Sequence, residues 1–224
     1  MIVFSIAIMY KWVIRQVNVN NAFLNGYLEE DVYITQPTCF IDPSKPHHVC
    51  KLKKALYGLK QAPRAWFDRF KCAMVQQWQF TNSKSDSSLF FKWHLGHILL
   101  VLVYVDDIII TGSNPSTVLS VISDMQSTFA LKDLGDLSYF LGIQVTKTTD
   151  GIHLCQAKYI ADLLVKQNMD KSSPCATPMA TSHSLTKNSG TPIDNDSQYR
   201  SIIGALQYVT LTRPEIALLV NKLS

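Results

Sequence analysis

The chain has 224 residues, of which 47% are hydrophobic and 17% charged, a size that fits one large domain or two small ones. With 9 Gly and 9 Pro, this composition excludes a disordered chain, a collagen-like repeat and a coiled coil. The net charge is only +4, but the segment from Lys45 to Lys71, here called the basic segment, holds eight basic side chains and one acid.

Hydrophobic spacing and turn residues predict an alternation of short helices and strands in the first half of the chain. The predicted elements there are a buried helix over Ile2 to Tyr10, strands over Arg15 to Val19 and Asp31 to Thr35, a helix from Pro63 to Trp78, and strands over Leu89 to Trp93, Ile98 to Tyr104 and Ile108 to Thr111.

The second half continues with helices and one strong hairpin signal. Its predicted elements are a helix capped by Asn114 and Pro115, strand runs over Tyr139 to Thr146 and Ile152 to Cys155 flanking an Asp-Gly turn, a helix over Gln156 to Met169, a linker over 172–198 and a helix from Tyr199. Antiparallel hairpins interleaved with helices indicate an α+β fold.

Cysteine usage and apolar runs bear on the compartment. Five cysteines without a CxxC pair favour a reducing compartment over a disulfide framework or a zinc ribbon. The run Ile2 to Met9 is far shorter than the roughly 20 residues that span a bilayer. The longer run, from Ile98 to Ile110, contains two carboxylates that would be costly in lipid. We therefore expect a chain that is not secreted and has no membrane partner.

Two adjacent acids, Asp106 and Asp107, stand between the apolar runs Ile98 to Val103 and Ile108 to Ile110. They could be an ordinary hairpin turn, because Asp tolerates turn geometry. Two observations favour a metal site instead. The turn lacks the Gly that a two-residue hairpin prefers, and neighbouring carboxylates repel one another unless a cation lies between them. A metal site needs a third ligand, which we expect from a neighbouring strand.

Eight fragments in order carry a resemblance to a known family. They are QVNVNNAFLNG at 16–26, VYITQP at 32–37, LKKALYGLKQAPRAW at 52–66, SDSSLF at 85–90, YVDD at 104–107, DLGDL at 133–137 with FLG at 140–142, YRSIIGALQY at 199–208, and Thr212-Arg213-Pro214. The chain resembles the reverse transcriptase of Ty1/copia-type LTR retrotransposons.

The resemblance implies a right-hand polymerase palm, an antiparallel sheet with packed helices, followed by the start of a thumb. It implies a palm over 1–148, with partial fingers elements, and a thumb or connection region over 149–224 that includes the flexible linker at about 172–198. It further implies that the fingers are mostly missing and that this Pol polyprotein fragment is truncated at both ends.

The resemblance also implies roles for individual residues. Asp106, Asp107 and the backbone carbonyl of Val19 would bind two Mg²⁺ ions. The residues implied to contact the nucleotide or template are Phe23, Gln61, Lys60, Arg64 and Tyr104, with Phe23 as the steric gate that excludes a 2′-hydroxyl. The implied primer grip is a hairpin over Tyr139 to Val145 that includes Phe140, Leu141 and Gly142. Without the resemblance, Phe23 would be interpreted as an ordinary aromatic residue of the core, and Gln61 as an amide in a loop.

The chain departs from the family at the third carboxylate, where Asn18 replaces Asp. A neutral amide keeps the shape but removes a negative charge. We expect weakened Mg²⁺ binding and a rate loss of at least about a hundredfold, since ~1.4 kcal/mol is tenfold in rate.

Three functions remain open from the sequence. The first is an impaired RNA-directed DNA polymerase that uses dNTPs with an RNA or DNA template and primer. The second is a non-catalytic remnant that binds nucleic acid through the basic segment, which could equally be a solvated face. The third is a translated pseudogene fragment. The resemblance implies that the protein acts in the context of virus-like particles, so we expect to find it in the cytoplasm or the nucleus. The sequence does not determine the oligomeric state.

Overall fold

The computed structural model describes residues 2–149, 151–179 and 195–224. They divide into two compact units, Met1–Leu137 and Ser138–Ser224. The assignment of these units to a palm and a thumb stays a prediction. Among the described residues, no helix is both long and apolar enough to cross a bilayer.

The first unit is built on a six-stranded antiparallel sheet with the strand order β4-β5-β6-β7-β1-β8. Its strands are β1 (Val13–Val19), β4 (Thr81–Asn82), β5 (Leu89–His94), β6 (His97–Tyr104), β7 (Asp107–Gly112) and β8 (Leu131–Asp136), and a separate ribbon pairs β2 (Tyr33–Thr35) with β3 (Val49–Lys51). The first helices are α1 (Ile2–Met9), α2 (Ala62–Cys72) and α3 (Pro115–Thr128).

One face of the large sheet packs against α2 and α3. Val17 and Val19 of β1 and Ile108 and Ile110 of β7 are buried in this core. The aromatic and aliphatic side chains that the two helices contribute are Trp66, Phe70, Val118, Ile122 and Met125. Because side chains alternate along a strand, the residues between these positions, including Asn18, lie on the opposite face.

The predicted capping of α3 is confirmed. The side chain of Asn114 accepts hydrogen bonds from the backbone N–H groups of Ser116 and Thr117, at 2.9 and 3.2 Å, and Pro115 occupies the first turn. An N-cap amide satisfies donors that the helix leaves unpaired, and proline has no N–H to lose there. The helix therefore begins where the sequence indicates.

The second unit contains a three-stranded antiparallel sheet and three helices. Its elements are β9 (Tyr139–Phe140), β10 (Ile143–Lys147), β11 (Ile152–Cys155), α4 (Ala157–Lys166), α5 (Asp196–Val209) and α6 (Ala217–Leu223). Gln156 is buried at the start of α4. Its Nε2 donates to the carbonyl of Tyr208 at 3.3 Å, and its Oε1 accepts from the hydroxyl of Thr212 at 2.7 Å. This buried amide joins α4 to the end of α5.

Several predicted boundaries are wrong. The strand run from Tyr139 to Thr146 is broken by a turn at Leu141 and Gly142, whose φ angles are 50° and 77°. The helix predicted from Pro63 to Trp78 changes at Ala73 into a π-helical turn, Ala73–Gln77. A π-helical turn contains one more residue than a turn of α-helix, and hydrophobic spacing does not reveal it.

The helices of the second unit also differ from prediction. The helix expected to reach Met169 ends at Lys166, and Asn168 adopts a positive φ of 56°. The helix expected from Tyr199 begins at Asp196, because the side chain of Asn195 caps it by accepting from the N–H of Gln198. The predicted linker over 172–198 is therefore three residues too long. Its segment 180–194, like Asp150 of the predicted Asp-Gly turn, lies outside the described residues.

Candidate active site

The turn between β6 and β7 consists of Val105 and Asp106. Tyr104 pairs with Asp107 across the hairpin, so Asp107 is the first residue of β7 rather than part of the turn. Val105 has a φ of 54°. Primed two-residue turns require positive φ at the first central position, where glycine is the usual residue. A β-branched residue in this conformation is strained, so the hairpin depends on contacts that hold it.

The sheet places position 18 beside both acids. Asn18 on β1 pairs with Asp107 on β7, and its Nδ2 donates to Asp106 Oδ2 at 3.0 Å and to Asp107 Oδ1 at 3.3 Å. Gln16 Nε2 approaches Asp107 Oδ1 at 3.5 Å. The N–H of Val19 donates to the carbonyl of Asp106 at 2.8 Å. The expected third position on a neighbouring strand therefore lies next to the acids, although an amide fills it.

The chemistry of these groups fits a divalent cation in part. Mg²⁺ takes oxygen ligands and is commonly held by one or two carboxylates, which Asp106 and Asp107 supply. Asn18 points its NH₂ group at the carboxylates, which is the favourable orientation when no cation lies between them. To offer its oxygen to a cation, the amide must turn over. Within the described ranges no cluster of three His, Cys, Asp or Glu side chains could hold a metal.

A row of polar side chains crosses the sheet on the same face as the acids. Tyr104, Asp107, Asn18 and Lys132 are paired in register on β6, β7, β1 and β8. Lys132 was not predicted from the sequence, because the apolar residues of β8, Leu131 and Leu134, are three apart and do not alternate as in a half-buried strand. Arg15 fixes β8 to β1 through an ion pair with Asp133 at 2.7 Å. The row places Lys132 next to Asn18 and two strands away from Asp107.

Phe23 lies in a 3₁₀ turn, Ala22–Asn25, directly after β1. Its half-buried ring packs against the main core and lies 4.7 Å from the ring of Tyr57. Tyr57, a residue the sequence analysis did not single out, is largely exposed. The position is compatible both with a core aromatic and with the steric gate, which stays a prediction.

Gln61 and Arg64 line an open pocket of about 560 Å³ between α2 and residues 27–30. Gln61 Nε2 donates to Glu30 Oε2 at 3.1 Å. Arg64 is almost fully exposed and lies 3.7 Å from Asp68, and Lys60 is exposed. The pocket wall carries both signs of charge, so its use by a nucleotide or template stays a prediction.

The residues of the implied primer grip form one tight hairpin in the second unit. Phe140 is buried at the end of β9, and Leu141 and Gly142 make the turn to β10. A Cβ on Gly142 would lie 3.4 Å from the hydroxyl of Tyr208, so the turn packs near α5. The role of this hairpin stays a prediction.

Comparison with known proteins identifies the family. The family described as reverse transcriptase (RNA-dependent DNA polymerase) matches residues 1–181. The chain belongs to this family. This reverse transcriptase domain is 48% identical over 223 residues to the retrovirus-related Pol polyprotein from transposon RE1 of Arabidopsis thaliana, covering 100% of this chain and 15% of the relative.

Two further relatives give the same result. The Pol polyprotein from transposon RE2 of Arabidopsis thaliana is 46% identical over 223 residues, with the same coverage. That from transposon TNT 1-94 of Nicotiana tabacum is 35% identical over 232 residues, covering 99% of this chain and 17% of the relative. The reverse transcriptase domain therefore spans less than a fifth of the length of these relatives. The resemblance to Ty1/copia-type polyproteins and the mixed α and β architecture are confirmed.

Proposed function

We propose that this domain is the palm of an RNA-directed DNA polymerase whose metal site is weakened by Asn18. The observation that carries the proposal is the amide of Asn18 bridging Asp106 and Asp107 at 3.0 and 3.3 Å. In this proposal Asp106 and Asp107, with the backbone carbonyl of Val19, hold Mg²⁺. The ions, when bound, activate the primer 3′-hydroxyl and stabilise the charge on the transferred phosphate.

The effect of Asn18 follows from charge and orientation. An aspartate would add a third anionic ligand, whereas Asn18 contributes a neutral oxygen only after its amide turns away from the bonds it now makes. Each lost hydrogen bond to a charged group is worth about 1.5–3 kcal/mol. We therefore expect ion affinity at least tenfold, and polymerisation at least about a hundredfold, below that of the Asn18→Asp variant.

The remaining parts of the proposal concern the substrates. A template with primer and dNTPs are the expected ligands, and the eight cations of the basic segment would contact phosphates. Phe23, half-buried beside the end of β1, would limit the space around the sugar of the incoming nucleotide. Gln61 and Arg64 would contact the template. The second unit would supply the primer grip and the thumb. The expected place of action is the cytoplasm or the nucleus.

The test is Asn18→Asp. We expect this variant to bind Mn²⁺, which substitutes for Mg²⁺, at least about tenfold more tightly than the unmodified chain. Calorimetry measures both affinities. We also expect faster primer extension on an RNA template. Asn221→Asp, which adds the same charge at an exposed site on α6, serves as the control and should change neither quantity.

Asp107→Asn should abolish metal binding in both backgrounds. Equal Mn²⁺ affinity and equal extension by the unmodified chain and Asn18→Asp would contradict the weakened site. Absence of metal binding by Asn18→Asp would contradict the metal site itself.

A further inference from the structure

The indole of Trp66 makes a hydrogen bond to the turn that carries the acids. Its Nε1–H donates to the backbone carbonyl of Val105 at 2.7 Å. Trp66 lies on α2, 39 residues before the turn, and is only 2% exposed. Its ring packs against Phe70 and Phe129, with centroids 5.5 and 5.3 Å away. The donor is therefore held by the aromatic core rather than by the hairpin.

The acceptor is the strained residue of the turn. Val105 has a φ of 54°, and its side chain, 36% exposed, is not held by burial. Residues in such conformations persist only where their surroundings hold them. The bond from Trp66 fixes the Val105 carbonyl, and the N–H of Val19 fixes the next one, that of Asp106, at 2.8 Å. Both carbonyls of the turn are thus anchored from outside the hairpin.

We propose that Trp66 is a positioning residue that holds Val105 in its left-handed conformation and thereby orients Asp106 and Asp107. Without the bond, the turn gains other conformations, and only a fraction of molecules presents the carboxylates together. Since a hydrogen bond contributes modestly in net terms, metal affinity should fall by roughly three- to tenfold. This part of the inference rests on the proposed metal site, whereas the effect on Val105 does not.

The test is Trp66→Phe, which keeps an aromatic ring and removes the donor. Backbone couplings and ¹³C shifts that report φ should show positive φ at Val105 in the unmodified chain and a conformational mixture in the variant. The matched control is Trp78→Phe, because Trp78 packs against Phe129 in the same cluster, at 6.1 Å, while the Val105 carbonyl takes its bond from Trp66. A merely structural role for Trp66 would leave φ unchanged in both variants.

A second comparison uses glycine, which adopts positive φ without strain. In the Val105→Gly background, adding Trp66→Phe should lower Mn²⁺ affinity less than about twofold, compared with the three- to tenfold loss when Val105 is present. Equal losses in the two backgrounds, or positive φ retained at Val105 in Trp66→Phe, would overturn the proposal.

A measurement on the unmodified chain covers the case in which Trp66→Phe does not fold. A hydrogen-bonded indole N–H should exchange with solvent much more slowly than a free indole N–H, and exchange at the free rate would overturn the proposal. If no variant, including Asn18→Asp, binds Mn²⁺, the proposed metal site fails, and the φ of Val105 still decides the role of Trp66.

Discussion

At the scale of single residues, Asn18 links the two acids. Its NH₂ group donates to two carboxylates that would otherwise face one another. An aspartate at the same place would replace two attractive contacts with a third negative charge. Under the proposed function, the residue that would favour metal binding is therefore the less favourable one for the sheet without a metal.

We expect Asn18→Asp to lower the free energy of unfolding by about 3 kcal/mol or more in EDTA, because it removes two hydrogen bonds to charged groups and adds repulsion. Saturating Mg²⁺ should restore the loss, since a ligand that binds only the folded chain stabilises it. Urea unfolding of both forms, with and without Mg²⁺, provides the measurement. The unmodified chain should respond little to Mg²⁺, and an equal response in both forms would show that position 18 does not control the site.

At the scale of elements, α2 is held close to the segment after β1. A Cβ on Gly26 would lie 2.7 Å from the backbone carbon of Ala65 and 2.7 Å from the nitrogen of Trp66. Real Cβ atoms do not approach backbone so closely. The absence of a side chain at Gly26 therefore lets this segment pack directly on the turn of helix that carries Trp66.

Gly26→Ala should destabilise the chain by about 1–3 kcal/mol, because backbone rather than a flexible side chain must move. The matched control is Gly204→Ala in α5, where a Cβ meets nothing within 4 Å. That change should be neutral or stabilising by up to about 1 kcal/mol, since alanine is the better helix former. Thermal unfolding of the two variants tests the contrast, and a similar shift in both would contradict the close packing.

These elements show what the sequence could predict. The strands β5 to β7 and the cap of α3 were predictable, because they depend on local apolar runs and on Asn114 and Pro115. That Asn18 would lie beside the acids came from the family resemblance, since strand pairing between residues 89 positions apart leaves no local signal.

Other features depend on tertiary contacts and could not be predicted. A valine at a glycine position of a turn contradicts local propensity, and the hydrogen bond that its carbonyl accepts comes from Trp66 on a distant helix. The turn at Leu141 and Gly142 was implied by the family resemblance, whereas the apolar pattern missed it because the flanking residues form one strand-like run. The π-helical turn at Ala73–Gln77 is likewise invisible in a 3.6-residue pattern.

At the scale of the whole molecule, charge is unevenly distributed. The basic segment carries eight of the 21 basic side chains. Within it, Lys54 and Arg69 lie 5.7 and 5.8 Å from the exposed ring of Tyr27. Cations beside an exposed aromatic ring resemble the surfaces that bind single-stranded nucleic acid.

We expect this domain to bind primer–template with an affinity that falls linearly in log salt. A double variant removes two exposed cations of the basic segment, Lys53→Ala and Lys54→Ala. It should reduce the magnitude of the slope of log affinity against log salt concentration by about one to two. The control pair, Lys84→Ala with Lys222→Ala, removes two exposed cations outside the basic segment and should leave it unchanged. Fluorescence anisotropy at several salt concentrations measures the slopes. Equal slopes would indicate a solvated face rather than a binding surface.

The register of Asn18 against Asp107 has an evolutionary consequence. Asparagine and aspartate codons differ by one base, and the two side chains have the same shape, so exchange at this position requires no repacking of the sheet. The asparagine makes two hydrogen bonds to the acids, so selection for folding alone does not oppose it. Under the proposed function, a copy of the retrotransposon could lose polymerase activity by a point mutation at this position and regain it by the reverse mutation, without repacking of the sheet.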